Sequence, residues 1–198
     1  MNAKYVKRRI LSNIKEKLFF GKAIIIYGAR QVGKTTLLKK LADDFPDDTI
    51  WLNADNPDDR TILNAINSDK ARGMFKSGKL VIIDEAQRLQ NAGLSLKIIH
   101  DNCEGIQLIA TGSSSFELSD KIREAMTGRK FSYQLFPFSL NELAMKESAL
   151  QVHRTLENRI TYGCYPDIVL HTGHERELLM ELTSDYLYKD VFTLKDVR

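Results

Sequence analysis

Nine consecutive residues, Gly28-Ala29-Arg30-Gln31-Val32-Gly33-Lys34-Thr35-Thr36, carry chemistry that the rest of the chain has to serve. They read G-x-x-x-x-G-K-T. The glycines admit backbone angles that other residues avoid, so successive N–H groups can turn inward around a phosphate. A helix starting at Lys34 adds its dipole and its free N–H groups at the same point. The Lys34 ammonium would reach the β- and γ-phosphate oxygens of a nucleotide, and the Thr35 hydroxyl would sit on Mg²⁺. The alternative is an ordinary Gly-rich turn between strand and helix. The apolar run Ala23-Ile24-Ile25-Ile26-Tyr27 before it and the helical spacing of Leu37, Leu38 and Leu41 after it favour the phosphate loop.

A second pair of groups is Asp84-Glu85, directly behind the apolar run Leu80-Val81-Ile82-Ile83. Alone, such a run followed by Asp-Glu commonly just ends a strand. Downstream of a phosphate loop it has the form of a metal and water site, because carboxylates at the carboxyl end of a central strand lie on the ligand-binding edge of an open α/β sheet. Asp84 would bind Mg²⁺ through a water, and Glu85 would orient or deprotonate the attacking water. A third stretch, Thr111-Gly112-Ser113-Ser114-Ser115, follows another apolar run. A polar side chain there can reach the γ-phosphate or the water. Ser113 is the first candidate and Thr111 the second, and a serine cap for the segment from Phe116 is compatible with either.

These groups need a scaffold. Strands are expected at Ala23–Tyr27, Thr49–Asn53, Leu80–Ile83, Ile106–Thr111 and Phe131–Phe136. Helices are expected at Lys34–Asp44, Pro57–Ile66, Leu94–Cys103 and Phe116–Met126, the last capped at Gly128. Strands alternating with helices demand crossover connections and hence a parallel sheet. An amphipathic helix Tyr5–Leu18 precedes the first strand. After Pro137 the capping signal Ser139-Leu140-Asn141-Glu142 opens a helix to Glu147. Further helices follow at Gln151–Tyr162 and from His174 to about Leu194, separated by the breaker Gly163-Cys164-Tyr165-Pro166.

The chain has 198 residues, 43% hydrophobic and 28% charged, with a formal charge of +3. That suits one α/β domain with a sizeable core and a small appended unit. The mild charge neither requires nor excludes nucleic acid. Cys103 and Cys164 stand in no metal-like spacing and read as reduced thiols. Lys7-Arg8-Arg9 admits a phosphate contact or a solvated helix face. Asp55, Asp58 and Asp59 read as a capping and turn cluster, and His171 and His174 as surface residues. No signal peptide is evident and no apolar run approaches about 18 residues. A cytoplasmic protein without a membrane span is expected.

With these stretches in place, the chain resembles a family of bacterial and archaeal predicted ATPases of the AAA+ superfamily, in which an AAA-type domain precedes a C-terminal domain of unknown function. The matching residues are Gly28–Thr36, Ile82–Arg88, Ala110–Ser115, Gly128-Arg129, Leu135–Leu143, Tyr162–Pro166 and Tyr186–Val191. Cys164 departs from the pattern, since the family usually has a second glycine there. The resemblance implies a P-loop NTPase of AAA type. It would be a three-layer αβα sandwich with a five-stranded parallel sheet ordered 5-1-4-3-2, followed by C-terminal helices. It also implies phosphate-loop roles for Lys34 and Thr35, the metal and water pair for Asp84 and Glu85, and the sensor region for Ser113. Arg129 lies where such proteins often place an arginine finger, so a neighbour's Arg129 in a homo-oligomer would complete the site. A surface salt bridge is the open alternative for Arg129.

The expected division is an N-terminal helix in residues 1–20, an ATPase core in 21–138 and a helical region in 139–198. The last helix runs almost to Arg198 with no stop signal, so the chain is expected to be a fragment that lacks the family's C-terminal domain. The expected function is Mg²⁺-dependent binding and hydrolysis of ATP, driving or gating an unknown protein or DNA partner. The alternative is a nucleotide-dependent binding switch with slow hydrolysis, for which DNA is a candidate partner. A small-molecule kinase fits Asp84-Glu85 less well, and no Asn/Thr-Lys-x-Asp guanine-reading motif follows the fourth strand.

Overall fold

Continuous buried runs at its centre build a parallel sheet whose strands are β1 (Ala23–Tyr27), β2 (Thr49–Asn53), β3 (Leu80–Asp84), β4 (Gln107–Gly112) and β5 (Lys130–Gln134). A computed structural model describes residues 5–112, 122 and 124–191. The sheet has five strands in the order β2-β3-β4-β1-β5, which is the expected 5-1-4-3-2 read from the other edge. β3 and β4 are buried along their whole length, while the edge strands β2 and β5 are mostly half-buried. This is the pattern of central strands covered on both faces.

Register places Ile25, Ala110, Ile83 and Leu52 on one face. They pack with Leu63, Ala71, Phe75, Leu96 and Ile99 from α3 (Pro57–Asn64), α4 (Ser68–Met74), the residue that follows it, and α5 (Ala92–Asn102). Ile24, Ile109 and Ile82 lie on the opposite face and are fully buried. The buried Ile14, Leu37, Leu38 and Leu41 come from α1 (Ile10–Lys15) and α2 (Lys34–Ala42), which pack against each other.

The chain forms two compact units. The larger, Arg8–Phe136, contains the sheet. The smaller takes the residues up to Lys7 together with those from Pro137 onward. Its described helices are α6 (Leu140–Ala144), α7 (Ala149–Arg154), α8 (Leu156–Tyr162), α9 (Pro166–Leu170) and α10 (Glu175–Val191). Val6, Phe138 and Leu143 form its small core, with Cys164 and Val169 against them. The Ser139–Glu142 capping box starts α6 as its spacing requires. Arg159 pairs with Glu147 at 2.7 Å.

Several boundaries differ from the sequence expectation. The N-terminal helix is only Ile10–Lys15, with no side-chain cap, and the chain turns at Phe19, whose φ is 56°. The helix expected at Gln151–Tyr162 breaks at Thr155, where the backbone flattens to ψ 0°. Helices α4 and α9 were not expected. Asn67 caps α4 by accepting from the Lys70 N–H, and Pro166 opens α9 at its first turn. The cap of α3 is Asn56, which accepts the Asp58 N–H at 3.0 Å, and not one of the aspartates; Asp59 accepts the Asn53 N–H at 2.8 Å and Asp55 pairs with Arg88 at 2.8 Å. Among the described residues no group of His, Cys, Asp and Glu is arranged to hold a metal on its own, and no helix is long and apolar enough to cross a membrane.

Candidate functional site

β1 delivers the chain to Gly28 at the carboxyl edge of the sheet. This residue must be glycine, because a Cβ here would meet the backbone oxygen of Leu135 at 2.2 Å. The close approach follows from pairing of β1 with β5, continued by a hydrogen bond from the Leu135 N–H to the Tyr27 oxygen at 2.7 Å. The loop then turns through two left-handed positions, Gln31 at φ 58° and Gly33 at φ 94°, and Gly33 starts α2. Glycine takes that conformation without strain.

Lys34 stands on the first turn of α2, buried at 5% exposure. Its ammonium donates to the Gly28 oxygen at 3.0 Å and the Ala29 oxygen at 2.8 Å, folding back over its own loop. Desolvation pushes this ammonium below its ordinary pKa, and the nearby Glu85 and Asp84 carboxylates offset part of that push. A buried, desolvated cation hydrogen-bonded to neutral carbonyls is matched to an incoming anion.

Thr35 joins the loop to the carboxylate pair. Its hydroxyl donates to Asp84 Oδ2 at 2.8 Å. Asp84, at 3% exposure, ends the buried β3. Its other oxygen, Oδ1, accepts from the Thr111 hydroxyl. The Thr111 oxygen in turn accepts the Glu85 N–H at 3.1 Å. Thr111 is fully buried on β4, so one hydroxyl ties together both members of the Asp84-Glu85 pair. Glu85 has φ 55°, an unusual left-handed conformation for a side chain of this size, and it opens the short 3-10 turn Ala86–Arg88. The Gln87 amide donates to Glu85 Oε2. Neighbouring hard oxygens on Thr35 and Asp84 fit Mg²⁺, which is commonly held by one or two carboxylates with substrate phosphates and waters.

The structure thus brings together Lys34, Thr35, Asp84 and Glu85. Arg129 lies elsewhere. It immediately precedes β5, and its carbonyl accepts the N–H of Ala23, the first residue of β1, at 2.9 Å. Arg129 is therefore at the amino edge of the sheet, one strand length from the phosphate loop, which is roughly 16 Å for five residues. Its Nε donates to Asp101 at 2.8 Å, and His100 contacts the same carboxylate at 3.0 Å. Burial works to raise the Asp101 carboxyl, but the His100 and Arg129 hydrogen bonds outweigh it and hold the group below its ordinary value. Ser113 lies outside the described residues, as does most of the helix expected at Phe116–Met126. Thr111, the second sensor candidate, is fully buried and bonds Asp84 and the Glu85 N–H.

Two participants escaped the sequence. Gln87 sits two residues beyond Glu85, and only the 3-10 turn folds it back onto that carboxylate. Arg8 is the buried member of the basic cluster, at 5% exposure, while Lys7 and Arg9 are exposed.

Comparison with known proteins agrees with this architecture. An uncharacterized protein of Methanocaldococcus jannaschii is 28% identical over 202 residues, an alignment that covers 94% of this chain and 45% of the relative. The chain therefore spans less than half the length of that relative. Among solved structures, a Walker-type ATPase of Pyrococcus abyssi is similar with a TM-score of 0.64 at 14% identity, over 98% of this chain and 77% of that one. The ORC1 protein of Aeropyrum pernix, solved in complex with DNA, is similar with a TM-score of 0.52 at 12% identity, over 88% of this chain and 64% of that one. At these identities the likeness shows the fold. The family described as AAA domain matches residues 21–144, more than half of the 198-residue chain. The chain belongs to this AAA domain family, on a P-loop nucleotide-binding fold.

Proposed function

We propose that this chain binds ATP with Mg²⁺ and hydrolyses it. The observation that carries the reading is the hydrogen bond from Thr35 to Asp84, which places the phosphate loop and the carboxylate pair within one contact of each other. Residues 28–36 would cradle the phosphates with backbone N–H groups, and the Lys34 ammonium would leave the Gly28 and Ala29 carbonyls for β- and γ-phosphate oxygens. Thr35 and Asp84 would hold the metal, which when bound neutralises charge on those oxygens. Glu85 would orient a water for in-line attack on the γ-phosphorus and accept its proton as the bond to the ADP oxygen breaks. Thr111 fixes Asp84 and the Glu85 backbone while this happens. Ser113 is the proposed γ-phosphate sensor.

Arg129 is proposed to act in trans, from a neighbouring copy. That role requires its pair with Asp101 to open. Such a finger is worth roughly 10³–10⁵ in rate, so turnover should rise with protein concentration. Residues 21–138 are proposed as the ATPase core, flanked by 1–20 and 139–198, in a cytoplasmic protein with a macromolecular partner.

One observation favours a second reading, a nucleotide-dependent switch with slow hydrolysis: the Gln87 amide already occupies the Glu85 carboxylate. DNA is one candidate partner, and an affinity for DNA that changes with ATP and falls with salt would mark the switch.

The test is hydrolysis of ATP and GTP, with and without DNA, by the wild-type chain and by Glu85→Gln. The expected outcome is nucleotide binding within about threefold of wild type and turnover reduced at least about a hundredfold in Glu85→Gln. Normal turnover by that variant refutes Glu85 as the base.

A further inference from the structure

Arg8 is a charged residue buried inside the larger unit, two residues before α1. Its Nη1 donates to the Val32 oxygen at 3.4 Å, and its Nη2 donates to the Phe136 oxygen. Val32 is fully buried and is the residue before Gly33 in the phosphate loop. Arg8 and Phe136 are the first and last residues of the larger unit. One guanidinium therefore holds the phosphate loop to the chain leaving β5.

The direction of that grip matters. The described peptide bonds are all trans. In a planar trans peptide the carbonyl of one residue and the N–H of the next point in opposite directions. Holding the Val32 oxygen toward Arg8 turns the Gly33 N–H away from Arg8. A loop that binds an anion must do this with its peptides, pointing N–H groups at the ligand and carbonyls outward. An outward carbonyl buried in the protein then needs a donor of its own. Lys34 serves the Gly28 and Ala29 carbonyls but is expected to leave them for a phosphate. Arg8 sits behind the loop and has no such exchange to make.

We propose that Arg8 is a positioning residue of the nucleotide site. Its fork clamps the Val32 and Phe136 carbonyls together and so presents the Gly33 N–H to the bound phosphate. The inference rests on the reading of residues 28–36 as a nucleotide site. It assigns Arg8 no contact with the nucleotide. A planar fork reaches two carbonyls at once; a lysine ammonium on a flexible stem lacks that fixed geometry.

The test uses the full chain as wild type, Arg8→Gln and Arg8→Lys. Calorimetric titration with Mg·ADP and with a non-hydrolysable Mg·ATP analogue gives Kd, steady-state hydrolysis gives KM and kcat, and thermal unfolding without nucleotide reports the fold. Both variants are expected to bind about tenfold more weakly, the effect of one lost charged hydrogen bond. KM should rise by a similar factor, with kcat within about twofold of wild type. A merely structural role would lower Tm and leave Kd of the folded protein unchanged, which overturns the inference. Wild-type affinity in Arg8→Lys overturns it too, because charge alone would then suffice. Loss of the fold in both variants makes Arg8 a general core residue and also overturns it. Should the wild type bind neither nucleotide, the nucleotide reading itself fails and this inference falls with it. Tight binding by wild type and both variants refutes only the role of Arg8.

Discussion

Replacing Thr111 with valine keeps the shape of a fully buried side chain and removes one hydroxyl. Two interactions go with it. Asp84 Oδ1 loses a donor, and the Glu85 N–H loses its acceptor at 3.1 Å. A hydrogen bond to a charged group contributes about 1.5–3 kcal/mol, and a partly buried N–H left unpaired costs about 1 kcal/mol. The sum is about 3 kcal/mol. For a unit of this size, Tm should fall by roughly 10 °C. The catalytic effect is separate. Glu85 holds a left-handed backbone that nothing in its own chemistry favours, and Thr111 is one of the bonds that keep it there. A carboxylate displaced by about 1 Å costs on the order of 10² in kcat. Thr111→Val should therefore lose about a hundredfold in kcat with little change in KM, while Thr111→Ser, which retains the hydroxyl, should keep most of the activity. The assays are steady-state ATP hydrolysis below the lowered Tm and thermal unfolding. A Thr111→Val protein with kcat within about twofold of wild type would refute the idea that this hydroxyl positions Asp84 and Glu85.

Other expectations follow from the same geometry. Because the Lys34 ammonium is depressed below its ordinary pKa, the unfolded chain binds more protons than the folded one between the two values, and stability should rise with pH across that window. A bound phosphate reverses the depression, so nucleotide binding should take up a proton there and weaken as pH rises; calorimetry in two buffers of different ionisation enthalpy measures this, and zero uptake at alkaline pH removes the prediction. Gly28→Ala places a Cβ 2.2 Å from the Leu135 oxygen and should destabilise by about 1–3 kcal/mol with weakened nucleotide binding. Gly73→Ala is its control, because α4 leaves that position open within 4 Å, and stability should rise by about 0.5–1 kcal/mol. Denaturant unfolding of the two variants decides, and equal stabilities would contradict the packing argument.

The parts of this fold that were legible in the sequence are those where burial and local geometry agree. The central strands are continuous apolar runs because both faces are covered, and Leu80–Ile83 and Ile106–Thr111 read directly as such. The phosphate loop was legible because glycine and lysine positions in it have few substitutes. The small unit was less legible. Thr155 carries no breaker signal, yet the chain kinks there and divides one expected helix into two. Arg8 was unreadable for a related reason: a charged side chain in a basic cluster looks solvated until the carbonyls that hold it are seen. Gln87 and the committed hydroxyl of Thr111 depend on contacts across the turn after β3 and between β3 and β4, which no spacing along the chain encodes.

The folded-back Lys34 has a consequence for how a ligand enters. In many flexible sites the loop must be ordered when the ligand arrives, and that loss of freedom subtracts from affinity. Here the ammonium is already seated, and the carbonyls of Gly28 and Ala29 stand in for the oxygens of a guest. Entry becomes an exchange of one set of acceptors for another, made within a preorganised frame. On the proposed nucleotide reading, affinity would be set by the difference between two sets of oxygens and not by the freezing of a mobile chain.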